Sequence, residues 1–325
     1  MWPELLAIAG GFILLAWSAD RFVTGAAAVA FNLNVSPLII GLTIVSFGTS
    51  APEILVSTMA ALQGNPGLAI GNAIGSNIIN IGLVLGVTAI ITPLAVKSGI
   101  VRRELPVLIG VMVVTWLLIM DSTLDFMDGA ILLSGLVAML AWITRIGIRS
   151  KGEHDPIDTE YSEEIKTGMP LSRAILWLLA GSLLLLISSR LLVWGAVSVA
   201  QTLGISDLII GLTIVALGTS LPELAASVMS ALKNEHDIAI GNIIGSNMFN
   251  MLAVLGLPGI IAPGPIDADV LGRDFPVMLL LTVMLTAMAI GFRGPGRINR
   301  LEGALLLGIY LAYQTLLYFS VSGRI

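Results

Sequence analysis

The chain has 325 residues, of which 56% are hydrophobic and only 11% charged, with a formal net charge of −5 and no cysteine. An average soluble domain carries about 25% charged residues, so this is the composition of a polytopic membrane protein. The sparse Lys and Arg exclude a nucleic-acid-binding stripe, and the lack of cysteine excludes disulfides, thiolate chemistry and iron–sulfur centres.

Apolar runs of about 20 residues recur along the chain, each long enough to cross a bilayer as a helix. The first begins directly after "MWPE", has no basic segment before it and continues past residue 16, which predicts a span near 4–27 rather than a cleaved signal peptide. Further helices are predicted near 37–62, 68–92, 105–120 and 128–147. The hydrophilic stretch "RSKGEHDPIDTEYSEEIKTGMP" (149–170) follows. It has too few apolar residues for a core and reads as a solvated linker, without the spacing of an EF-hand loop. Beyond it, helices are predicted near 172–199, 207–232, 238–262, 275–292 and 301–320.

The two groups of five are copies of one unit. Between 38–80 and 208–250, an offset of 170, 26 of 43 positions are identical without a gap, where apolar bias alone would give about one match in ten. The same offset pairs Pro93 with Pro263, Arg103 with Arg273 and Pro106 with Pro276. Five spans per copy is an odd number, so the second copy enters the membrane from the opposite side. The expected fold is therefore an all-α membrane protein of ten transmembrane helices in two inverted-topology repeats: 1–148, the linker 149–170, and 171–325. With both termini outside, twelve Lys/Arg fall on the inner side and two, Arg273 and Arg324, on the outer side. That is a positive-inside bias, and it makes the linker cytoplasmic.

The repeated segment breaks the apolar pattern with "GTSAPE" (48–53) and "GTSLPE" (218–223). In the second span, Thr49, Ser50 and Glu53 lie three and four residues apart and share one helix face. Pro52 has no N–H to give and crowds the Gly48 carbonyl, so the helix should open there. Carbonyls freed at Val45, Ser46 or Gly48 are costly in a membrane unless they line a cavity or meet a ligand. Hydroxyls, a carboxylate and loosened carbonyls make an oxygen-only cage that suits Na+ or Ca2+ and not zinc or copper. Thr219, Ser220, Pro222 and Glu223 repeat the set. A charge near mid-span costs about 2.5–3.5 kcal/mol, and no Lys or Arg lies in the core spans to pair with either glutamate. Facing each other, the two carboxylates supply −2, which matches one Ca2+, two Na+ or two protons.

The next spans carry "AIGNAIGSNIIN" (69–80) and "AIGNIIGSNMFN" (239–250). Asn72, Ser76 and Asn80, like Asn242, Ser246 and Asn250, follow at steps of four, so their neutral oxygens could complete an eight-oxygen shell. For Ser76, Asn77, Ser246 and Asn247, interhelical hydrogen bonding and ion ligation are balanced alternatives. Gly71, Gly75, Gly82 and Gly86 fit close helix packing. Asp20 and Arg21 fit an interfacial role, and Asp121, Asp125 and Asp128 a solvated turn. An enzyme is not expected: the two histidines, His154 and His236, fall in loops, and no H-E-x-x-H or P-loop pattern occurs. The rival of a different class is a passive cation channel, against which inverted repeats with broken helices favour alternating access.

At these four motif copies the sequence resembles the cation/Ca2+ exchanger superfamily, and within it the bacterial calcium/sodium antiporter branch, relatives of the K+-dependent Na+/Ca2+ exchangers. The resemblance covers essentially the whole chain. It implies ten helices, an outward N-terminus, a multi-pass protein of the cell (inner) membrane, and antiport of Ca2+ against Na+ or H+. It places central ligands on Thr49, Ser50, Glu53, Thr219, Ser220 and Glu223. Carbonyls one turn earlier fall on Ser46 and Ala216, and further ligands on Ser76, Asn80, Ser246 and Asn250. One member of the last pair is often aspartate in that family; here both are asparagine, which leaves Na+, H+ or K+ open as the coupling ion. No cofactor is expected, and the partners are the transported ions and the bilayer, with the chain a monomer or weak homo-oligomer. The family also implies that the first and sixth spans slide or rock against the other eight.

Overall fold

The computed structural model describes residues 2–64, 66–96, 98–149, 169–203, 216–290 and 296–321. Most of the linker, residues 150–168, lies outside them, as does 204–215, the upstream part of the seventh span. The helices of the first half are α1 (Trp2–Leu33), α2 (Pro37–Thr49), α3 (Ala51–Leu62), α4 (Pro66–Ile91), α5 (Ser98–Ile119) and α6 (Phe126–Arg149). Those of the second are α7 (Leu171–Thr202), α8 (Ala216–Thr219), α9 (Leu221–Leu232), α10 (His236–Ile261), α11 (Val270–Ile290) and α12 (Arg300–Val321).

Local chemistry sets their ends. Asn34 takes a left-handed φ of 52° and Val35 N–H donates to the Ala30 carbonyl at 2.9 Å, the bond that closes a helix beyond its last turn. Asn234, with φ 62°, and the Glu235 N–H to Ser230 carbonyl bond of 2.8 Å close α9 in the same way. Prolines start α2 and α4, where the missing N–H has no partner to lose. Asp125 and Asp128 are not a free turn: each carboxylate accepts the other's backbone N–H, at 2.8 and 2.9 Å, and so they cap α6. Asp121 accepts the backbone N–H and hydroxyl of Thr123, which hold its carboxyl below the usual carboxylate range.

Among the described residues, seven helices are long and apolar enough to cross a membrane, and α2 with α3 form an eighth, bent by 46°. The most extensive helix contact joins α1 to α7. It is a close approach: a Cβ on Gly25 would sit 2.6 Å from the Leu178 backbone nitrogen, and one on Gly195 (25 + 170) would sit 2.8 Å from the Glu4 carbonyl oxygen. On the other side, α10 is enclosed along its whole apolar stretch and α4 along most of its own. These two helices carry the Asn/Ser motifs, and the core built on Ile70, Ile74, Ile78, Ile240, Ile244 and Met248 surrounds them.

The halves interlock. Two short antiparallel bridges form, β1 (Leu94–Ala95) with β4 (Arg297–Ile298) and β2 (Thr123–Leu124) with β3 (Gly264–Pro265). Each joins one half to the other, and β3 lies 170 residues beyond β1. The helix packing repeats the exchange: α12 lies against the end of α4, and α6 against the end of α10. A Cβ on Gly303 would meet the Gly86 carbonyl at 2.7 Å, and one on Gly129 the Gly256 carbonyl at 2.7 Å. Of the four glycines expected to ease packing, Gly82 and Gly86 do so against α12; Gly71 and Gly75 meet nothing within 4 Å among the described residues.

Gly303→Leu should therefore lower stability by about 1–3 kcal/mol, the cost of overpacking a filled contact. Gly308→Leu, on the same helix with open space around it, should cost little. Thermal unfolding of the purified protein in detergent distinguishes the two.

Candidate functional site

The kink expected from Pro52 is a helix restart. Ser50 has φ −83° and ψ 5°, outside the helical repeat, and α3 begins at Ala51 with Pro52 in its first positions and Glu53 in its first turn. Ser220 (φ −90°, ψ 4°) and Glu223 repeat this at the start of α9. Both carboxylates thus sit at helix N-termini, where unpaired N–H groups favour negative charge. Proline removes only the donor to Gly48. The Ser46 carbonyl, expected among the freed ones, accepts the Ser50 N–H at 2.9 Å and the Thr49 hydroxyl at 3.3 Å. Ala216 opens α8.

Glu53 and Glu223 are both buried, 1% exposed, and neither forms an ion pair with Lys or Arg among the described residues. The motifs meet crosswise. The Ser50 hydroxyl donates to Glu223 Oε1 at 3.0 Å, while Thr219 interacts with Glu53. The Thr49 hydroxyl donates to Asn242 Oδ1 at 3.0 Å. Buried Ser46 sends its hydroxyl to the carbonyls of Gly41, Gly241 and Asn242, tying α2 to α10.

The step-of-four set on α4 and α10 divides into two roles. Asn72 Nδ2 donates to the Glu53 backbone carbonyl at 3.1 Å and to Ser57 Oγ at 2.9 Å. Asn242 Nδ2 does the same to the Glu223 carbonyl, at 3.5 Å, and to Ser227 Oγ, at 3.1 Å. These two amides brace the restarted helices, and the oxygen of Asn242 is taken by the Thr49 hydroxyl. Asn80 and Asn250, each at the first position of a π turn (Asn80–Leu85 and Asn250–Val254), differ: their Oδ1 atoms are buried and accept no hydrogen bond among the described residues. The same holds for Glu53 Oε2 and Glu223 Oε2, and the hydroxyls of Ser220 and Ser246 also have no partner among the described residues. Ser76 is buried beside them in sequence. Ser57 and Ser227 were not singled out by sequence reasoning, although they occupy equivalent positions in the repeat (57 + 170).

Four buried acceptor oxygens, two of them carboxylate, have no donor among the described residues; leaving a buried polar group unmet is expensive, and a cation or, at the carboxylates, a proton meets that need. Among the described residues no group of three or more His, Cys, Asp or Glu side chains could hold a metal. Any cation held here is therefore bound by two carboxylates and neutral oxygens, a set suited to hard, weakly hydrolysing ions.

The profile of the sodium/calcium exchanger protein family matches residues 4–145 and 173–319. CaxA of Alkalimonas amylolytica is 53% identical over 310 residues, covering 95% of this chain and 97% of that protein. The inner membrane protein YrbG of Escherichia coli is 40% identical over 310 residues, 95% of each chain. The solved structure of the sodium-calcium exchanger NCX_Mj, soaked with zero Na+ and Ca2+, superposes with a TM-score of 0.83 at 32% identity, over 97% of this chain and 99% of its own.

Asn242→Ala removes a group bonded to Thr49, Glu223 and Ser227 and leaves their polar atoms buried. It should cost about 1–3 kcal/mol, more than Ser227→Ala, which removes one of those bonds. Denaturant or thermal unfolding in detergent measures the difference.

Proposed function

The chain belongs to the sodium/calcium exchanger protein family, and we propose that it exchanges Ca2+ for Na+ across the cell membrane by alternating access. The observation that carries this reading is the quartet of donor-free buried oxygens, Glu53 Oε2, Glu223 Oε2, Asn80 Oδ1 and Asn250 Oδ1. A charge of −2 is met by one Ca2+ or by two Na+, and it cannot be met by both at once. Occupancy by one species therefore displaces the other, which is the requirement for exchange. Thr49, Ser50, Ser76, Thr219, Ser220 and Ser246 supply the neutral oxygens around it. The carbonyls of Ser46 and Ala216 join them in a conformation where the breaks at Ser50 and Ser220 open further.

In this reading the chain has ten spans in two inverted repeats, 1–148 and 171–325. α5 and the 216–232 region are the two spans beyond the eight described above. Both termini are outside and the 149–170 linker is cytoplasmic. The tight α1–α7 pair is the moving body and the interlocked remainder the frame. The described conformation has an ion pair between them: Lys233 Nζ, just beyond α9, lies 2.7 Å from Asp20 Oδ1 and 2.8 Å from Thr24 Oγ1 on α1. Asp20 is thus more than an interfacial residue, while Arg21 stacks against Trp17 and Trp177, 5.6 and 5.0 Å from the ring centroids. The repeat offers no mirror image of the ion pair, because 20 + 170 is Arg190 and 233 − 170 is Gln63. The pair therefore stabilises one side of the transport cycle only.

Glu53→Gln and Glu223→Gln should each abolish 45Ca2+ uptake into proteoliposomes while the protein still folds. In the unmutated chain an outward Na+ gradient should drive the uptake; flux driven by a pH gradient alone, or flux without a counter-ion, would replace this reading by proton coupling or by a channel. Lys233→Gln should shift the balance of the two conformations up to about fivefold, as an ion pair of about 1 kcal/mol or less allows. The cysteine-free chain makes labelling of a single introduced cysteine a clean readout of that shift.

A further inference from the structure

We propose that Asn77 and Asn247 are positioning residues that hold the amides of Asn250 and Asn80 oxygen-first toward the ion. This rests on the reading above that Asn80 and Asn250 are ligands. A carboxamide has two ends of nearly the same shape and opposite use, since its oxygen binds a cation and its N–H2 repels one. A neutral asparagine ligand must therefore be held one way round.

The hold crosses between the halves. Asn80 Nδ2 donates to Asn247 Oδ1 at 3.2 Å, and Asn250 Nδ2 donates to Asn77 Oδ1 at 3.1 Å. All four side chains are fully buried, so water does not compete for these bonds. With each nitrogen engaged across the repeat boundary, the opposite end of Asn80 and of Asn250 is an oxygen that has no donor among the described residues. The π turn that begins at each of the two residues is a local rewinding often found at functional sites.

The two holds are not equally firm. Asn77 is itself fixed, because its Nδ2 donates to Met278 Sδ at 3.4 Å. Asn247 Nδ2 is buried without a partner among the described residues, and the residue matching Met278 in the other half (278 − 170) is Leu108, which has no acceptor. Asn80 is accordingly the ligand held by the looser partner.

The alternative is that these asparagines only fasten helices together, as polar residues do in membranes. Aspartate separates the two roles, because both ends of a carboxylate are oxygen and its orientation needs no guard. The experiment is equilibrium 45Ca2+ binding to the purified full chain in detergent. Asn247→Leu, which keeps the volume and loses the acceptor, should weaken Ca2+ binding about tenfold to a hundredfold, the usual cost of losing such a second contact. Asn247→Asp, which keeps the acceptor, should hold affinity at or above that of the native chain. In an Asn80→Asp background the same Asn247→Leu change should cost less than about twofold, and Asn77→Leu in an Asn250→Asp background should behave alike. Equal losses with and without the aspartate, or native affinity in Asn247→Leu, would overturn the proposal. Glu53→Gln and Asn80→Ala keep the outcomes apart. If Glu53→Gln retains binding, the site itself is misassigned; if Asn80→Ala alone retains it, Asn80 is no ligand and its guard has no function.

Discussion

Two carboxylates buried in an apolar helical bundle, with no ion pair to Lys or Arg among the described residues, are the constraint around which the other parts of this protein are arranged. Helix restarts at Ser50 and Ser220 place Glu53 and Glu223 in first turns, where unpaired N–H groups favour negative charge, and the Ser50 hydroxyl from the opposite half adds a donor to Glu223. These groups temper the negative charge and do not cancel it. In the proposed reading the remaining deficit is what a cation of matching charge fills.

The same constraint accounts for the interlocked halves. A buried site with one carboxylate from each half exists only when both halves are folded around it. The chain accordingly exchanges contacts at several levels: bridging strands from opposite halves, α12 on α4 and α6 on α10, and Asn–Asn bonds from each half to the other. Against this cross-linked frame, α1 and α7 pack mainly on one another through backbone-to-backbone contacts at glycine. In the proposed alternating-access reading, this helix pair is the moving body and the cross-linked remainder the frame.

Much of this was legible in the sequence, and what was not has a common cause. The 170-residue offset exposed the duplication, and the paired glutamates stood out because a charge at mid-span is expensive. The helices fell close to their expected places because apolar runs and proline or asparagine punctuation set them locally. Spacing along one helix says which residues share a face, not what they meet across it. Asn72 and Asn80 share a face at a step of eight, yet the restart at Ser50 brings the Glu53 carbonyl to Asn72 and leaves the oxygen of Asn80 free. Ser57 and Ser227 resembled ordinary small residues until Asn72 and Asn242 were seen to donate to them. The Asp20–Lys233 pair joins positions 213 residues apart, beyond the reach of any local pattern, and Asp20 by itself fits an interfacial role.

The central claim is that a single −2 site, drawn from both halves, is shared in turn by the two ions. Equilibrium binding of 45Ca2+ to the purified chain, titrated with Na+, tests it most directly. The account predicts one Ca2+ per chain, displaced competitively and with a Na+ dependence steeper than first order, because more than one Na+ replaces each Ca2+. Calcium binding that is indifferent to Na+, or that persists beside bound Na+, would contradict it.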